Sequence, residues 1–149
     1  MLLVLTHKQF TARQQAELMT CGKDHLEILK ILEFKPIGFW LSRERHAEIQ
    51  SSHGRLVNKG PYLWPGDLVD NSWNKKERAK ILDFLKSGKL SLAYAGPSPC
   101  RLCDLEFNGT TELYDEASMY TWPEGYAQYV EMHNVKPPQD LIDYILSLK

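Results

Sequence analysis

The apolar positions of this chain fall into short blocks whose period shifts repeatedly between helical and extended spacing. Phe10 to Thr20 is rich in helix formers and ends at Cys21-Gly22, which predicts a first helix. Asp24 and Glu27 stand at the spacing of a capping box, and Leu26, Ile28, Leu29, Ile31 and Leu32 follow as an apolar face. That predicts a second helix to about Phe34, broken by Pro36. Ile37 to Leu41 reads as a buried strand. Ser42 is placed to cap a charged helix running from Arg43 to about His53, with Gly54 as its end.

Between Asn58 and Asn71, Gly60-Pro61 and Pro65-Gly66 interrupt both periods and leave a loop anchored by Tyr62 and Trp64. Ser72 or Asn74 caps a helix from Lys75 to Lys86, with Ile81, Leu82 and Leu85 on one face and Gly88 as its stop. Leu90 to Ala95 alternates as a strand does, then turns through Gly96-Pro97-Ser98-Pro99. Leu105 to Phe107 and Thr110 to Tyr114 flank Asn108-Gly109, a hairpin signal because a tight hairpin turn needs positive φ angles. Asp115-Glu116 gives a second turn and Ser118 to Thr121 a third short strand. Pro123 suits the first turn of a helix ending at His133-Asn134, and Pro137-Pro138 opens a last amphipathic helix with Leu141, Ile142, Ile145, Leu146 and Leu148. Together these predict an α+β fold. Its N-terminal two thirds are mainly helical, and a small antiparallel β element near the C-terminus carries the cysteine pair.

At 149 residues the chain is read as a single domain, 1–149, with a subdivision into a helical part (1–95) and a knuckle-like hairpin with helices (96–149). A hydrophobic fraction of 43% and a charged fraction of 25% are ordinary for a globular protein. The net charge of -1 gives no support to broad nucleic-acid binding. Charge is unevenly placed, however. Residues 1–99 carry 15 Lys/Arg against 10 Asp/Glu, whereas residues 100–135 carry seven acids against Arg101 alone. Two mutually attracting faces explain this, and so does an acidic surface for a basic partner or a cation. The apolar start, Met1 to Leu5, is too short for a secretory h-region or a membrane span. Three cysteines, an odd number, fit a reducing compartment, so the expected location is the cytoplasm.

The chemistry worth following lies in Cys100-Arg101-Leu102-Cys103. Cysteines at this spacing on a tight turn direct both sulfurs to one side and can clamp a metal ion. Structural zinc takes about four tetrahedral ligands, thiolate or imidazole. Cys100 and Cys103 supply two, and His133 is the natural third, because the strands after the cysteines can fold back and deliver the helix end. Asp104, Asp115, His53 and Cys21 are the candidates for a fourth. Two metal-free readings stand beside this. The pair can be ordinary buried thiols, or a redox pair, although the chain after Cys103 reaches Asn108-Gly109 too soon for the helix such a pair favours.

Knuckle, hairpin and helix in that order resemble the layout of zinc-knuckle modules over about the last third of the chain. His46-Ala47-Glu48 followed by Pro99-Cys100-Arg101-Leu102-Cys103 resembles the H-x-E…P-C-x-x-C signature of zinc-dependent nucleobase deaminases. That resemblance implies His46, Cys100 and Cys103 as metal ligands and Glu48 as the proton shuttle. The run Cys100-Arg101-Leu102-Cys103, Asn108-Gly109 and Trp122-Pro123-Glu124-Gly125-Tyr126 to His133 looks like a pattern in small uncharacterised bacterial proteins, which brings no activity with it. No Walker, H-E-x-x-H, G-x-S-x-G or G-x-G-x-x-G motif is present. The leading expectation is a small soluble binding or accessory protein with a structural zinc at Cys100, Cys103 and His133, and a protein as its partner. A deaminase-like zinc hydrolase and a metal-free interaction or inhibitor protein are the alternatives.

Overall fold

The computed structural model describes residues 33–93, 98–105 and 109–149. Helices and strands alternate along it: β1 (Lys35–Pro36), α1 (Arg43–Ser51), a 3-10 turn (Pro65–Leu68), α2 (Lys75–Lys86), β2 (Lys89–Ala93), β3 (Thr111–Asp115), β4 (Tyr120–Pro123), α3 (Tyr126–His133) and α4 (Gln139–Ser147). The strands form one mixed sheet in the order β1-β4-β3-β2. β2–β3 and β3–β4 are antiparallel, and β1 runs parallel to β4.

This corrects the expected mainly helical N-terminal two thirds with a small antiparallel β element. Half of the strands, β1 and β2, come from before residue 95, and the cysteine pair lies in a loop, not on a strand. The two helices expected over 10–20 and 24–34 fall almost wholly outside the described residues. The expected strand Ile37–Leu41 is displaced. Sheet pairing begins earlier, at Lys35, and ends with Ile37 donating its N–H to the Thr121 carbonyl (2.9 Å). Gly38 then takes a φ of +74° and turns the chain away, its Cα so close to the Tyr126 ring that a Cβ would stand 2.6 Å from it. Pro36 is tolerated because β1 is an edge strand.

The expected hairpin around Asn108-Gly109 falls largely on residues 106–108, outside the described residues. Gly109 does take positive φ (+78°), and β3 has β2 on one edge and β4 on the other.

Elsewhere local signals act as read. Ser42 Oγ accepts from the Arg45 N–H, and Asn74 accepts from Lys76 and Glu77, so both helix starts satisfy otherwise orphaned donors. Asn134 ends α3 in the left-handed conformation (φ 53°). Pro123 closes β4 instead of opening α3, which starts at Tyr126.

The core gathers where α2 meets α3 and α4, through Ile81, Leu85, Val130, Leu141 and Ile142, each fully buried. Trp122 ties the sheet to this helical layer. It is fully buried on β4, donates Nε1–H to the Leu85 carbonyl (3.0 Å), and packs beside Phe84. Gly88 gives it room: a Cβ there would stand 2.6 Å from the indole. On the opposite edge, the Tyr120 hydroxyl donates to Asp140, and Lys35 bridges both (3.5 and 3.4 Å), tying β1, β4 and the start of α4 together. Asp140 is held below the usual carboxylate range by the Tyr120 hydroxyl and the Lys35 charge.

Trp122 has both roles, filling the joint and satisfying a helix-end carbonyl. Its truncation to Ala should therefore cost about 3–5 kcal/mol. Urea unfolding of Trp122→Ala checks this. A variant as stable as the parent would show that the sheet and α2 do not depend on this joint.

Candidate metal centre

Antiparallel pairing places Ala93 opposite Thr111, so the chain that leaves the sheet after β2 must return to the same point to begin β3. The excursion between them carries both cysteines. Its described part, residues 98–105, is laid against α1 on one side and α3 on the other. The Arg101 N–H donates to the Tyr129 hydroxyl on α3 (2.7 Å). Arg43, at the start of α1, donates from Nε to the Arg101 carbonyl (2.9 Å) and from its second arm to the Cys103 carbonyl, with Asp104 3.9 Å away. A guanidinium can do this because its donors form a rigid fork.

Within the loop, the Cys100 N–H donates to the Leu105 carbonyl (2.9 Å) and closes the turn. The Leu102 N–H points at the Cys100 sulfur (3.4 Å), and the Leu105 N–H at that of Cys103. Each sulfur thus receives a backbone donor from two residues downstream. Such donors stabilise negative charge on sulfur and orient it.

α3 delivers the third group. His133 is its last residue, and Nε2 lies 3.5 Å from the Cys100 sulfur. The ligand atoms of Cys100, Cys103 and His133 all lie within 4.8 Å of one another, close enough to bind one metal ion. Cys100 is buried, while Cys103 and His133 are partly exposed. The carbonyl end of α3 adds a partial negative charge that favours a cation here. Without a cation the neighbouring Cys100 sulfur disfavours ionisation of Cys103. The Leu105 N–H lowers the Cys103 pKa, but desolvation and the adjoining Cys100 outweigh it and leave the thiol above its ordinary value. A bound divalent ion reverses that balance, because a coordinating thiol is deprotonated outright.

The other residues singled out in the sequence stand elsewhere. His46 stacks flat on Trp64, ring centroids 3.8 Å apart and 2° from parallel, and Glu48 pairs with Arg45 (2.8 Å). The group close enough to hold a metal contains His133 and neither of these. Nor does a helix follow the cysteines within residues 98–105. Among the four residues considered as a fourth ligand, Asp104 is exposed and faces Arg43, Asp115 accepts from the Ser118 N–H in the β3–β4 turn, and His53 is exposed beyond α1. None of these three joins the cluster, and Cys21 lies outside the described residues.

Sequence reasoning missed Arg43 and Tyr129. Both hold main-chain atoms of the knuckle, and a residue that binds a carbonyl or an N–H leaves no motif. Tyr129 had one weak signal, its place one turn before His133 on the same helix face.

No protein-family model matches this chain, and searches of curated proteins and of solved structures find no match either.

If Arg43 holds the knuckle, Arg43→Ala should free it while leaving the core intact. Trypsin gives a direct readout, since Arg101 is the sole Lys or Arg between Lys89 and Lys136. Losing charge-assisted bonds to two carbonyls should make cleavage after Arg101 on the order of tenfold faster. An unchanged cleavage rate would mean that Arg43 merely lies beside the loop.

Proposed function

We propose that this chain is a small binding or accessory protein whose cysteine loop is fastened to α3 by a structural zinc ion held by Cys100, Cys103 and His133. One observation carries the reading: a Cys-x-x-Cys loop with a backbone donor at each sulfur meets a helix-end histidine at 3.5 Å. Sulfur at about 2.3 Å and nitrogen at about 2.0–2.1 Å from one tetrahedral ion stand about 3.5–3.6 Å apart. The 3.5 Å between Cys100 Sγ and His133 Nε2 matches that separation and supports the reading. Two thiolates and an imidazole also form the donor set that suits zinc.

The role follows from what surrounds the ion. The loop seats Cys100 in the core, with Leu102 and Cys103 packed against it. A metal fastening it to α3 supplies stability directly, because binding free energy to the folded state adds to folding free energy. The partner we infer is a protein. Supporting this, the segment between α1 and the 3-10 turn exposes Leu56, Val57, Tyr62 and Leu63, braced from within by Asn58 through the Tyr62 carbonyl and the Gly60 N–H. Among the described residues no helix is long and apolar enough to cross a membrane. Thiol ligands and an odd cysteine count fit a reducing compartment, which we take to be the cytoplasm.

Elemental analysis of the purified chain should find about one zinc per molecule, and a strong chelator should lower its melting temperature. His133→Ala should reduce the zinc content. Substoichiometric metal with a melting temperature unmoved by chelator would identify the cluster as two buried thiols and a packed histidine.

A further inference from the structure

The two sulfurs differ in a way that a purely structural site does not require. Both sit on one turn, with all ligand atoms within 4.8 Å, yet Cys100 is 1% exposed while Cys103 reaches solvent. An accessible cysteine with a second sulfur behind it is the arrangement of a peroxide-sensing thiol and its resolving partner. The geometry puts Cys103 in front: the Arg43 guanidinium holds the Cys103 carbonyl and so fixes the accessible sulfur at the surface, with the buried Cys100 sulfur behind it.

We propose that this centre is a redox-gated zinc site, in which peroxide oxidises the Cys100–Cys103 pair to a disulfide and expels the ion. The inference rests on the zinc reading above. In the first step the Cys103 thiolate attacks one peroxide oxygen. The O–O bond breaks, the departing hydroxide takes up a proton as water, and the sulfur becomes a sulfenic acid. In the second, the Cys100 thiolate attacks that sulfur, the S–S bond forms, and the sulfenic oxygen leaves as a second water after protonation. Two electrons pass from the sulfur pair to one peroxide. Zinc, left with His133 alone among its three ligands, departs to any competing chelator. A dithiol reductant returns both electrons and restores the site.

The consequence for the fold is local. α3 keeps its end without the metal, because Asn134 binds Arg78 and Asn71, and Val135 pairs with Val69. The knuckle remains attached through Arg43 and Tyr129 but loses its fastening to His133. Oxidation therefore loosens one loop and leaves the domain folded, as a reversible switch requires.

The test uses zinc-loaded full-length protein titrated with hydrogen peroxide in the presence of a colorimetric zinc indicator. One zinc should be released for each pair of thiols lost. Intact-mass analysis should show loss of two hydrogens, peptide mapping should join Cys100 to Cys103, and dithiothreitol with added zinc should reverse all three. Cys21→Ser, which keeps the pair, should behave as the parent does. Zinc retained while thiols are consumed, gain of oxygen at either cysteine without a crosslink, or a disulfide to Cys21 would each overturn the proposal. Protein that carries no zinc before peroxide is added would instead refute the zinc reading itself, and the mass and mapping results would still report whether the pair closes.

Discussion

The constraint that organises this protein is the antiparallel pairing of β2 with β3. Once Ala93 lies opposite Thr111, the intervening chain must leave the sheet and come back to where it began. Closing such a loop costs entropy. The chain answers with anchors from outside the loop: Glu124 accepts from the Thr110 N–H and the Thr111 hydroxyl at the return point (both 3.1 Å), Arg43 and Tyr129 grip the backbone around Arg101, and His133 meets Cys100. Three of these four anchors come from the stretch β4–α3, whose position is itself fixed by Trp122 against α2. The site is therefore a product of the sheet register as much as of the cysteines.

This explains why His133, thirty-three residues beyond Cys100, completes the cluster while His46 does not. The helix end that carries it follows directly from β4, and β4 is held edge to edge with β3, where the loop returns. α1 does touch the knuckle, but through Arg43 at its first turn. Its histidine is committed to Trp64, one of the aromatic anchors of the loop that follows α1. Charge also finds its place. Arg43–Asp104 and Lys86–Glu131 pair the basic stretch before residue 100 with the acidic stretch after it, and Lys35 pairs with Asp140 on α4, although such exposed pairs contribute little each.

Much of the local structure was legible because it depends on local chemistry. Ser42 and Asn74 as caps, Asn134 as a left-handed stop and the apolar face of α4 follow from what those residues do in any chain. What was not legible depends on pairing. Lys35–Pro36 carries no strand signal, and becomes one because β4 offers a free edge. The pairing of β3 with β2 likewise joins segments far apart in the sequence. The metal-binding trio was legible in its residue types, since Cys-x-x-Cys and a helix-end histidine are side-chain features. The clamps on the loop were not, since they act on peptide groups that every residue possesses.

X-ray absorption at the zinc edge, on protein purified without added chelator, reads the ligands of the ion itself. A Cys100, Cys103 and His133 site gives two sulfur neighbours at about 2.3 Å and at least one imidazole nitrogen at about 2.0–2.1 Å, with one sulfur lost in Cys103→Ser and the imidazole signature lost in His133→Ala. A zinc shell of nitrogen and oxygen without sulfur, or protein free of zinc, would contradict that coordination.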